Sequence, residues 1–270
     1  MPRFLFSIIL VLASCFRWTI AHPKIFSNTT DYPLPNQGNV HAHDPSIVFS
    51  NGSYYLFMTG YHIGIQKSSN LSGPWQSIGT VLSEPSVVHK PNNSRPWSPN
   101  VIEWDSKYYC FYSVSHQNRR NSGIGVAVTD NLDDNSHGDE KGSWTDHGPI
   151  IQTGAESAET NFYPYNESNA LDPSFMADVS THQPYLMFGS FWSDIWQVPL
   201  VQNLLSVEDP RRPDANHLVY VPGKDADKPV EGSFMSYTSP YYYLWFSHGK
   251  CCAFELTGFP EMGHEYVWCC

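Results

Sequence analysis

Three acidic residues at recurring addresses carry the chemistry this sequence suggests. Asp44 stands in "HAHDPSIVFS", Asp172 in "NALDPSFM" and Glu231 in "VEGSFM", each followed by Pro or Gly and then a short apolar stretch. A lone Asp-Pro is turn chemistry. Three carboxyls brought to one place repel each other unless something uses them. Hydrolysis of a glycosidic bond by direct attack of water uses a carboxylic acid on the leaving oxygen and a carboxylate on the water, about 6.5 to 9.5 Å apart. A third carboxyl nearby raises the acid's pKa by like-charge repulsion. Glu is one methylene longer than Asp, so Glu231 is expected to be the general acid, Asp44 the general base and Asp172 the pKa modulator.

The elements that must position these residues show in the chain's similarity to itself. "DPSIVFSNGSYYLFMTG" from Asp44, "SPNVIEWDSKYYCFYSV" from Ser98, "DPSFMADVSTHQPYLMFGS" from Asp172 and "EGSFMSYTSPYYYLWFSHG" from Glu231 share one pattern. Each has a polar residue, Pro or Gly, an apolar strand, a polar turn and an aromatic strand, which predicts a β-hairpin. The starts lie 54, 74 and 59 residues apart, room for a four-stranded antiparallel sheet each time. Outer strands are predicted in "GIQKSS…GPWQSIG" (Gly64 to Gly79) and "GIGVAVTD…GSWTDHG" (Gly123 to Gly148). The fold class is therefore all-β, a β-propeller of about four blades, with a β-sandwich as the rival. A residue before proline is expected to be extended, so each Asp-Pro should open an innermost strand at the mouth of a central channel. The first side chains of these strands then converge on one axis.

Composition bounds the partners. The formal net charge is −11, without a basic run, which disfavours nucleic acid and other polyanions. Aromatic residues make up 15%, with nine Trp and sixteen Tyr, and flat rings suit the apolar faces of sugars as well as β-strands. Residues 1–21, with Arg3 before an apolar run and Ala21 at its end, are expected to be a secretory signal peptide too short to span a bilayer. Residues 22–270 are then one propeller domain, secreted and monomeric, with 253–270 as an atypical tail. Asn28, Asn51, Asn70, Asn92 and Asn166 each head an Asn-x-Ser/Thr acceptor, in keeping with a secreted glycoprotein. Beyond Cys15 there are five cysteines, so one thiol is left over in an oxidising compartment.

Other constellations are weaker. His41, His43 and Asp44 lack a further partner at ligand spacing, so no metal site is assigned. "DDNSHGDEK" from Asp133 lacks the closing Glu of a calcium loop, since Trp144 stands there. The Cys-Cys pairs at 251 and 269 lack the C-x-x-C spacing of zinc sites and suit disulfides better.

At these residues the sequence resembles glycoside hydrolase family 43, and within it the fungal arabinan endo-1,5-α-L-arabinosidases (endo-arabinanases). "HDPSIV", "NALDPSFM" with "FGSFWSDIW", and "VEGSFM" with "YYYLWFSHGKCC" carry the match, and "RPWSPNV" resembles the family's Trp-x-Pro element. The resemblance runs from about His41 to Cys252. It implies a five-bladed propeller, here ending after the fourth blade, and an inverting enzyme that cuts internal α-1,5-L-arabinofuranosidic bonds of linear arabinan in pectin side chains. It carries over the same roles for Asp44, Asp172 and Glu231. Trp97, Phe191 and Trp192 are candidate substrate-binding platforms, with packing between blades as the other reading of each, and Asn169, just before the second Asp-Pro, is a candidate lining residue of the same mouth or the cap of a turn. No cofactor is needed for the chemistry. The resemblance also implies a calcium ion on the propeller axis, whose usual histidine lacks a counterpart, since His264 has the wrong context. An exo-acting arabinofuranosidase or β-xylosidase and a catalytically dead glycan-binding propeller are the alternatives.

Overall fold

Hairpins built on two-residue turns begin the first two sheets. Asn51 and Gly52, with φ of 47° and 76°, join β1 (Ser46–Ser50) to β2 (Ser53–Met58). Asp105 and Ser106, with φ of 49° and 60°, join β5 (Trp97–Trp104) to β6 (Lys107–Val114). Positive φ at both turn residues matches the right-handed twist of the strands, which is why Asn-Gly recurs in such turns. The computed structural model describes residues 37, 41–117, 119–133, 144–154, 161–221 and 230–249. The expected signal peptide, the 253–270 tail and all cysteines except Cys110 lie outside them.

Among the described residues the chain forms three four-stranded antiparallel sheets and one two-stranded sheet. The first is β1-β2-β3-β4, adding β3 (Gly64–Ser68) and β4 (Gln76–Thr80); the second is β5-β6-β7-β8, adding β7 (Gly123–Thr129) and β8 (Thr145–Gln152). The third runs β9 (Ser174–Ala177), β10 (Pro184–Phe188), β11 (Ile195–Pro199) and β12 (Asn216–Val219). The fourth pairs β13 (Val230–Thr238) with β14 (Tyr241–His248). Every sheet is a meander, and the innermost strands β1, β5, β9 and β13 touch in chain order. This is propeller architecture, as the four repeats predict, and not two sheets stacked as a sandwich.

The core lies between neighbouring sheets. Strand period two splits β6 cleanly: Tyr108, Cys110, Tyr112 and Val114 pack with Tyr55, Phe57 and Ile65 of the first sheet, while Tyr109 and Phe111 pack with Leu186, Phe188 and Trp196 of the third. At about 1.5 to 3 kcal/mol for each large apolar side chain buried, these two layers dominate the stabilisation. Cys110 is an unpaired thiol, and burial pushes its pKa up. Side chains also stitch the innermost strands together. Ser46 Oγ accepts the Val101 N–H at 2.9 Å, and Asn100 Oδ1 accepts the Phe175 N–H at 2.9 Å.

One expectation needs correction. Asp44, Ser98 and Asp172 precede proline, yet they are left-handed, with φ of 48°, 48° and 54°. The cause is a bulge repeated in each sheet. His43 O accepts the Thr59 N–H, and pairing resumes at Ser46↔Phe57, so Asp44 and Pro45 together oppose Met58. The same occurs at Ser98–Pro99 between Trp97↔Ser113 and Asn100↔Phe111, and at Asp172–Pro173 between the Leu171 and Gly189 bond and Ser174↔Met187. A bulge whose first residue is left-handed bends the strand and re-aims that side chain.

Candidate active site

The bulge register separates the acids. In the fourth sheet Glu231 pairs with Ser247 and ladder pairing resumes at Phe234↔Trp245, so the bulge holds Gly232 and Ser233, and Gly232 has φ of 62°. Glu231 is therefore one residue earlier than the position Asp44 and Asp172 occupy. The three acids share a place in the sequence repeat but not in the strand register.

The position equivalent to Asp44 and Asp172 in the second sheet is Ser98, and it joins them. Ser98 Oγ lies 2.7 Å from Asp172 Oδ1 and 3.2 Å from Asp44 Oδ2. Thr59 Oγ1 donates to the same Asp44 Oδ2 at 2.6 Å and accepts the Ser98 N–H at 2.8 Å. In the next sheet Ser113 Oγ likewise accepts the Asp172 N–H at 3.0 Å. The corresponding residue of the third sheet is Gly189, which has no hydroxyl, and the Gly232 N–H goes to Asp172 Oδ2 at 3.0 Å instead. Both oxygens of Asp172 are thus held by protein donors, and its neighbour across that last bond carries Glu231. Among the described residues no hydroxyl donates to Asp44 Oδ1, and His43 Nε2 lies 3.6 Å from it.

Glu231 is oriented by the third sheet. Ser190 Oγ donates to Glu231 Oε2 at 2.6 Å. Ser190 follows Gly189, whose φ of 129° lets the chain turn so tightly that a Cβ there would stand 1.8 Å from Asp194 O. Farther along the same loop, Ser193 Oγ donates to Glu167 O at 2.8 Å and accepts from Trp196 Nε1 at 2.9 Å, and the Val221 N–H donates to Asp194 Oδ2 at 2.7 Å.

The electrostatics follow from burial and mutual repulsion. Removal from water, then the Glu231 charge, then that of Asp44 push Asp172 up to about 7, against hydrogen bonds from Ser98 and Gly232. Glu231 is also raised, first by removal from water and then by Asp44, while Ser190 and His43 oppose the shift. Repulsion between 172 and 231 acts on both, so a proton held there belongs to the pair. Such a cluster can carry one proton to neutral pH beside an oriented carboxylate, which is what acid-base hydrolysis requires.

The remaining expected residues fall in different places. Phe191 and Trp192 are exposed, at 38% and 48%, and stand edge to face beside Ser190, their ring centroids 6.1 Å apart. Trp97 is partly buried on β5, immediately before Ser98. Asn169 is 1% exposed, and its Oδ1 accepts from Ser122 Oγ at 2.8 Å. Its side chain braces the loop before Asp172 and does not reach the surface as a lining residue would. Among the described residues no group of three or more His, Cys, Asp or Glu is arranged to hold a metal ion. Sequence reasoning passed over Thr59, Ser98 and Ser190, although Ser98 fills the acid's column in the second repeat.

The sequence profile described as Glycosyl hydrolases family 43 matches residues 38–258. The chain belongs to this family. Among its relatives, the probable arabinan endo-1,5-alpha-L-arabinosidase D of Emericella nidulans is 54% identical over 91% of this chain. The probable arabinan endo-1,5-alpha-L-arabinosidase B of Aspergillus fumigatus is 41% identical over 87% of it. The chain spans 62% and 65% of those proteins' lengths. Among solved structures, the Cellvibrio cellulosa alpha-L-arabinanase complexed with arabinohexaose superposes with a TM-score of 0.67 at 25% identity, covering 80% of this chain and 67% of that one. A native Bacillus subtilis arabinanase gives 0.65 at 26% identity, over 79% and 68%.

Proposed function

We propose that this family 43 chain carries the catalytic groups of a secreted, inverting endo-arabinanase acting on linear α-1,5-L-arabinan. The observation that carries the reading is the linked cluster of Asp44, Ser98, Asp172 and Glu231, in which one carboxylate has two hydroxyls within hydrogen-bond distance and the longest acid is raised in pKa. In the proposed reaction Asp44 takes a proton from water as the water oxygen bonds to the anomeric carbon. The bond from that carbon to the leaving oxygen breaks with its electron pair, and Glu231 protonates the leaving oxygen. Asp172 holds the charge balance of the pair with Glu231 and does not touch the sugar. Phe191 and Trp192, which follow Ser190, and Trp97, which precedes Ser98, are proposed as sugar platforms. The arabinanase names of the relatives support the substrate class, and the apolar leader with exposed acceptors at Asn51, Asn70, Asn92 and Asn166 supports secretion.

The test is incubation with debranched arabinan, with products followed by chromatography and by proton NMR of the first anomer. Oligomers of inverted configuration are expected early, and Glu231→Gln should lower turnover by about 10²-fold or more, the span of general acid catalysis. Arabinose as the sole product would replace endo with exo action. Binding of arabinan without any turnover by the parent chain would refute the enzyme reading in favour of a glycan-binding propeller.

A further inference from the structure

The hydroxyl of Ser98 stands between two carboxyls and has one hydrogen to give. Its Oγ is 2.7 Å from Asp172 Oδ1 and 3.2 Å from Asp44 Oδ2. A hydroxyl donates once and accepts twice. We infer that Ser98 is a positioning residue that couples the protonation of Asp172 to the hydrogen bonding of Asp44, through two orientations of its O–H. With Asp172 ionised, the hydrogen points along the shorter contact to Asp172. When Asp172 takes a proton, its own O–H donates to Ser98 Oγ, and the Ser98 hydrogen turns to Asp44 Oδ2.

The second orientation gives Asp44 two hydroxyl donors, since Thr59 Oγ1 remains at 2.6 Å. Hydrogen bonds to an ionised carboxyl favour its charged form. Loading the Asp172–Glu231 pair with a proton therefore brings a second hydroxyl donor to Asp44, the group proposed to activate water. The other groups facing this bridge are Glu231, whose charge acts on Asp172, and His43, with Nε2 3.6 Å from Asp44 Oδ1. The Gly232 N–H holds Asp172 Oδ2 in both states. A second-sheet residue without a donor could stitch the backbone equally well, because the Ser98 N–H to Thr59 bond does not involve the side chain.

The kinetic consequence rests on the hydrolytic reading; the titration does not. Ser98→Ala and Ser98→Gly in the full chain, labelled with ¹³C at Asp carboxyls, should both move the Asp172 titration up by about one pH unit, the worth of one hydrogen bond to a charged group. Gly relaxes the φ of 48° that Ala must keep, so the two variants are expected to melt differently and titrate alike. If the chain hydrolyses arabinan, the alkaline limb of kcat/KM rises with the titration. Shifted titrations in a chain without turnover would uphold the coupling and remove the proposed activity. An Asp172 titration that stays in place or moves down in both variants would overturn the inference.

Discussion

Replacing Asp172 by Asn should make the protein more stable, and only above a defined pH. The folded carboxyl ionises near 7, against 3.8 for an ordinary one. Between those values the folded chain holds a proton that the unfolded chain has released, so stability falls as pH rises through the window. At ~1.4 kcal/mol per pH unit the full shift corresponds to about 4 kcal/mol. Asp172 is only partly buried as a residue, and relaxation around the charge reduces the penalty, so a gain of about 2 kcal/mol is the expected figure. That is roughly 4 to 8 °C in melting temperature for a domain of this size. Asn satisfies the same neighbours: its Oδ1 can accept the Gly232 N–H while its Nδ2 donates to Ser98 Oγ, and Asn tolerates the left-handed φ of 54°. Thermal melts of parent and variant at pH 4 and pH 8 form the assay. The curves should nearly coincide at pH 4 and separate at pH 8. Equal separation at both pH values, or a variant that melts lower at pH 8, would refute the claim that this carboxyl is ionised at a cost.

Two further outcomes follow from the scaffold around the cluster. Gly189→Ala should lower stability by about 3 kcal/mol or more, because its Cβ meets Asp194 O at 1.8 Å and its φ of 129° suits only glycine; denaturant unfolding reads the loss, and a midpoint unchanged from the parent's would contradict the geometry. Asn100→Ala removes the acceptor of the Phe175 N–H between the second and third sheets and should cost about 1 to 2 kcal/mol, with faster amide exchange at Phe175 than at Val101, whose acceptor Ser46 is untouched.

The fold was legible because its signals are local. Strand period two, Asn-Gly at 51–52 and the recurring hairpin pattern locate β1, β2, β5, β6, β9, β10, β13 and β14 without tertiary information. The short outer strands β11 and β12 of the third sheet lack a turn signature of that kind and went unmarked. The acids were legible as a column in the repeat. Their strand register was not, since a bulge moves the pairing by one residue without changing residue types, and the register places Gly232, not Glu231, at the bulge position that Asp44 and Asp172 occupy in their own sheets. Asn169 was read from its adjacency to Asp172, but burial is set by Ser122 and Thr153, which approach from elsewhere in the chain. Hydroxyl residues such as Thr59 and Ser190 are too common for spacing to single them out.

The one-residue offset of Glu231 has a mechanical meaning. Asp44 and Asp172 project from bulges, where the ladder is interrupted and a left-handed non-glycine residue costs about 1 kcal/mol or more. Their aim depends on donors from neighbouring strands: the Thr59 and Ser98 hydroxyls for one, the Ser98 hydroxyl and the Gly232 backbone N–H for the other. Glu231 projects from a residue paired in register with Ser247, while the adjacent Gly232 takes the left-handed turn without that cost. An acid that must reach a leaving oxygen is thereby fixed at its base by the ladder and at its tip by Ser190, with a longer chain between. The two aspartates are held through hydroxyls whose hydrogens can reorient as protons move. The sheet supplies reach where a proton is to be delivered and adjustable donors where charge must be balanced, and the strain at the bulges is the structural cost of placing those donors between the acids.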